Sequence, residues 1–189
     1  FVITFLLGTA YTVLGQKHKV LRGFSELNAK NYGLALKIFH ELKDNNPSIS
    51  NYGMALLYGE TLDFKQIDSA IFYANESIQS YADNLAHISR KQRIALNNLG
   101  WNLEEMNRLL QGFYCKKFSE LQKSNSIEAI NQFLLLAKDY ELIDDVIGFR
   151  DSLCLLECGQ NQLACLIQLK LISPKSRFIN HIQEQIEEL

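Results

Sequence analysis

The chain has 189 residues, 47% of them apolar and 21% charged, with a formal net charge of −2. That length can bury a real core, and the ordinary composition excludes both a disordered tail and a membrane-embedded bundle. Lysines and arginines are scattered rather than gathered into a stripe, which excludes a nucleic-acid footprint, and only two prolines interrupt the chain.

The opening segment, FVITFLLGTAYTVL, carries no charge, and the GQKHK that follows turns polar. As a helix it would span about 21 Å, short of the roughly 30 Å hydrocarbon core, so a transmembrane anchor is the weaker reading. Val13 and Gly15 stand three and one positions before a cut ahead of Gln16. Residues 1–15 are therefore read as a signal peptide truncated at its start, which implies a mature chain without a transmembrane span, exported to the periplasm or cell surface. The competing reading is an apolar first helix packed on the rest.

Beyond it the periodicity is helical almost throughout. Leu34, Leu36, Ile38, Phe39 and Leu42 include pairs three and four residues apart, as do Ile127, Ile130, Phe133, Leu134 and Ala137, and no stretch alternates as a strand would. Breaks are expected near Ala29–Asn31, Asn45–Ser50, Thr61–Phe64, Ser80–Asn84, Leu99–Asn102, Ser124–Ser126, Tyr140, Gly159 and Ser173–Lys175, dividing the chain into about ten helices. Asn102 with Glu105 three residues on reads as a capping-box start, and Ser126 as the cap of the helix beginning at Ile127.

Gly23, Tyr32, Ala35, Phe39 and Pro47 then stand at the intervals of a helical-repeat pattern: a small residue for a close crossing, an aromatic to fill the gap, a proline to end the second helix. On these positions the segment resembles the tetratricopeptide repeat. A looser unit at Asn51 to Ile78, with Tyr52, Ala55, Tyr58, Ala70, Tyr73 and Ala74, resembles the Sel1-like variant. The C-terminal third repeats at an offset of 36 residues, pairing Asn125 with Asn161, Ile127 with Leu163, Ile130 with Leu166 and Phe133 with Leu169. SNSIEAINQFLLLAKDYELIDDVIGFRDSL is similar to the short helical repeats that follow tetratricopeptide units in bacterial cell-envelope proteins. The resemblance implies an all-α fold, an α-solenoid of antiparallel helical hairpins. Residues 16–84 would be tetratricopeptide-like hairpins, and residues 85–189 further repeats, with two related units near 125–153 and 161–189.

Some tetratricopeptide domains grip a partner's C-terminal carboxylate with polar groups on the inner helices. In that register this chain has Val20, Phe24 and Leu56, so the clamp is absent and the expected partner site is an apolar or aromatic groove using Phe24, Tyr52, Leu56 and Tyr58. Ordinary core packing is the competing reading of these four, and a hairpin anchor is the reading of Trp101.

No catalytic constellation appears, and no cofactor is called for. Cys154, Cys158 and Cys165 with His181 offer four soft ligands, but without the tight-turn pair that zinc sites favour. Buried small hydrophobes are the simpler reading. His18, His40, His87 and His181 are isolated from one another, and the acidic groups Glu104–Glu105, Asp144–Asp145 and Glu184 with Glu187–Glu188 read as solvated helix faces. The sequence thus points to a non-catalytic protein–protein interaction scaffold. The alternatives are a metal-binding or thiol-redox protein built on the cysteine cluster, and a structural spacer of a larger envelope protein.

Overall fold

The computed structural model describes residues 18–60 and 66–157. They are all-α, with no strand among them. In chain order the helices are α1 (18–28), α2 (Tyr32–Leu42), α3 (Pro47–Glu60), α4 (Ile67–Gln79), α5 (Tyr81–Ala86), α6 (Arg90–Asn97), α7 (Leu103–Ser124), α8 (Ile127–Leu136) and α9 (Ile143–Glu157). None of the described helices is long and apolar enough to cross a membrane. Residues 1–15, Cys158, Cys165, His181 and the repeat copy at 161–189 lie outside the described residues.

Helical spacing decides which faces are buried. In α2 the buried residues are Ala35, Ile38, Phe39 and Leu42, and in α4 they are Ile67, Ala70, Ile71, Ala74 and Ser77. Both sets follow the i, i+3, i+4, i+7 rule of an amphipathic helix. Phe39 has no exposed surface, and a glycine backbone faces its ring from each neighbouring helix. A Cβ built at Gly23 of α1 would lie 2.9 Å from its ring, and one at Gly53 of α3 would strike the same ring. Two glycines thus leave the space that one buried phenylalanine fills, a close approach that any side chain would block.

Local chemistry sets the ends. The Asn102 Oδ1 accepts the Glu105 backbone N–H at 3.0 Å, and Ser126 Oγ accepts that of Ala129 at 3.3 Å, so both caps read from the sequence are formed. Glu105 itself turns to Arg108 instead of closing a box. Asn125 follows α7 at φ 51°, a left-handed stop that asparagine tolerates.

Several boundaries differ from expectation. Pro47 opens α3 instead of closing a helix, because a proline lacks only an N–H that the first helical turn leaves unpaired anyway. The Asn45–Ser50 break is confined to residues 43–46, and the Ser80–Asn84 break shrinks to Ser80 before α5 begins. A further break at residues 87–89 ends on Ser89, whose backbone N–H donates to Gln92 Oε1 at 3.1 Å while its Oγ accepts the Gln92 N–H at 3.4 Å. That is a complete capping box.

The chain divides into two compact units, Phe1–Phe113 and Tyr114–Leu189. In the first, one core joins Val20, Phe24, Phe39, Ile49, Trp101 and Met106 with their neighbours. The 84/85 division expected from the sequence falls inside this unit, since Trp101 Nε1 donates to Ser48 Oγ at 3.0 Å across it. In the second, Tyr114, Phe133 and Tyr140 form a triangle with ring centroids 5.5 to 6.1 Å apart.

Candidate functional site

The four groove residues separate into two kinds. Phe24 is 3% exposed and Tyr52 6% exposed. The Phe24 ring stands edge-on to Phe39 at 5.1 Å and tilted to Tyr52 at 5.9 Å. Both rings are spent on the core. The Tyr52 hydroxyl donates to the Leu99 carbonyl at 3.2 Å, and burial foremost, with Glu105 after it, pushes its pKa up to about 12.

Leu56 and Tyr58 are half-buried at the edge of the same core. Tyr58 of α3 stacks on Tyr73 of α4 at 5.5 Å and 11°, and Phe72 meets Tyr73 edge-on at 5.3 Å. Phe72 is 57% exposed. The run Tyr58, Tyr73, Phe72 therefore carries aromatic surface from the core edge out to solvent, in geometries that ring quadrupoles favour. The sequence pattern brought in Tyr58 and Tyr73 as repeat positions but gave no reason to single out Phe72.

The same unit contains a buried polar knot. Ser48 Oγ donates to the Ser77 carbonyl and Ser77 Oγ to the Ser48 carbonyl, each at 2.8 Å. The Ser48 N–H donates to Asn84 Oδ1 at 2.9 Å, and Trp101 Nε1 donates to Ser48 Oγ. With Met106 Sδ 3.0 Å from Ser77 Oγ, the knot ties α3, α4, α5 and the turn before α7. Its members have their partners inside the protein, so it positions helices and performs no chemistry.

The same unit contains a cavity of about 310 Å³ between α1, the α2–α3 turn, α3 and α6. Val20, Ile49 and Leu96 give it an apolar floor, while Asn45, His87 and Gln92 stand at the wall as polar groups. It was not legible in the sequence, because its walls come from segments as far apart as Val20 and Leu96.

The other candidates are dispersed. His18, His40 and His87 are all exposed, and Glu104, Glu105, Asp144 and Asp145 occupy the first turns of α7 and α9, where the helix dipole favours them. Cys115 is exposed on α7 and Cys154 is half-buried on α9. No group of three or more metal-ligating side chains occurs among the described residues. Burial, and secondarily the Cys115 thiol, pushes Tyr140 up to about 12. No protein-family model, curated protein or solved structure matches the chain.

Proposed function

We propose that this chain is a non-catalytic scaffold that holds a protein partner. In this reading its helices form an α-solenoid of antiparallel hairpins of the tetratricopeptide kind, exported to the periplasm or cell surface. Phe39 seated against Gly23 supports the repeat reading, since an aromatic filling the gap left by a small residue is the packing that the resemblance implies. One observation carries the binding reading: the aromatic run Tyr58, Tyr73, Phe72, which leaves a large apolar ring more than half exposed. Exposed aromatics backed by a rigid core are what partner anchors require. The occupant is a protein segment presenting aliphatic or aromatic side chains.

A photo-cross-linking amino acid at position 72, with the same residue at the exposed position 83 as control, tests this. A partner captured at 72 and not at 83 should form a one-to-one complex. Its affinity should fall at least tenfold on Phe72→Ala with the melting temperature unchanged. Undiminished affinity in Phe72→Ala would remove the docking surface, and the absence of any stoichiometric complex would remove the scaffold.

A further inference from the structure

We propose that the cavity between α1, α3 and α6 is a binding site for a small amphipathic anion, such as a medium-chain or aromatic carboxylate. This goes beyond the scaffold reading and shares no residue with the aromatic run. The volume, about 310 Å³, stands at the lower end of small-molecule sites, roughly 300 to 1,000 Å³. The floor of Val20, Ile49 and Leu96 suits an apolar body.

One polar group of the wall, Gln92, is held as a donor. Gln92 Oε1 is already committed to the Ser89 N–H and Oγ–H at 3.1 and 2.7 Å, so the amide offers a ligand its Nε2–H groups. On α6 the cavity-lining residues Gln92, Ala95 and Leu96 define one helical face, and Ile88 lines the cavity from the break before it. At 100° per residue Lys91 flanks that face on one side and Arg93 on the other. Both are exposed, and neither has a carboxylate partner among the described residues. From Asn84 to Leu103 the sequence contains no acidic residue, while it holds Arg90, Lys91 and Arg93. At the opposite wall Lys43 and Asp44 cancel beside Asn45. The local field at α6 is thus positive in a chain whose net charge is −2, and it favours an acid group over a neutral one.

Titration calorimetry of the full chain with decanoate and with decan-1-ol, at low salt, tests the assignment. Decanoate should bind at one saturable site and the alcohol at least threefold more weakly, as two exposed charge contacts allow. Added salt should erode the preference. Lys91→Glu with Arg93→Glu, both on the surface, should abolish it with circular dichroism unchanged. Ala95→Trp, which places a ring into the cavity from a half-buried position, should remove binding of both probes. Equal affinity for acid and alcohol, or a preference that survives the double reversal, would overturn the anion reading. No binding, or binding undiminished in folded Ala95→Trp, would overturn the site itself.

Discussion

Tyr52, expected from its sequence position at a partner groove, is structural: its ring packs on Phe24, and its hydroxyl reaches the Leu99 carbonyl 47 residues away. Gly100, at φ +82°, makes that reach possible, because a Cβ there would strike the Tyr52 hydroxyl. Only glycine readily combines that backbone with that clearance. The tyrosine itself was legible as a helix-facing aromatic, but a hydrogen bond closed over such a separation leaves no local signal. Burial raises the folded pKa from 10 to about 12, so the folded state holds the proton more tightly than the unfolded chain does. The stability this contributes is complete below about pH 10 and is lost as pH rises through 12. Tyr52→Phe should therefore cost about 1 kcal/mol at neutral pH for the lost hydrogen bond and should flatten the fall in stability between pH 10 and 12. Tyr140, shifted the same way, keeps part of that slope. Urea unfolding at pH 8, 10, 11 and 12 measures both effects, and an alkaline slope identical to wild type would mean the hydroxyl is solvated.

Elements divide by how local their determinants are. The buried stripe of α2 and the caps at Asn102 and Ser126 follow from residues within a few positions, and they were legible. The α5–α6 break was written in the same local code, as Ser89 with Gln92 three residues on. No glycine or proline in the surrounding HISRKQ marks the stop more strongly. The arrangement of α3, α4 and α5 was not legible at all, since it depends on the polar knot, whose bonds span 29, 36 and 53 residues. Ser48 sits at its centre with no exposed surface. Ser48→Ala should strand the Trp101 Nε1–H and remove the donor to the Ser77 carbonyl, costing about 1–3 kcal/mol. Ser119→Ala removes a comparable hydroxyl on the exposed face of α7 and should change stability by less than about 0.5 kcal/mol. Equal denaturation midpoints for the two variants would show that the knot adds nothing to stability.

Across the whole molecule the all-α class was legible from periodicity, whereas the division into units was not. The sequence suggested a change near residue 84, where one family of spacings ends. Asn84 and Trp101 instead bond back to Ser48, and the first unit runs on to Phe113, inside α7. A helix of 22 residues that enters two units gives no break in its own pattern. Each unit has its own aromatic centre: Phe39 against Gly23 and Gly53 in the first, and Phe133 with Tyr114 and Tyr140 in the second. Phe133 is 2% exposed, so Phe133→Ala should cost about 3–5 kcal/mol. If the units open separately, that loss should appear as faster amide hydrogen exchange in α8 and α9, while the amides of α2 to α4 keep their protection. Phe39→Ala should give the reverse pattern. A uniform loss of protection in both variants would mean that the units unfold as one cooperative block, with α7 transmitting the loss of one aromatic centre to the other.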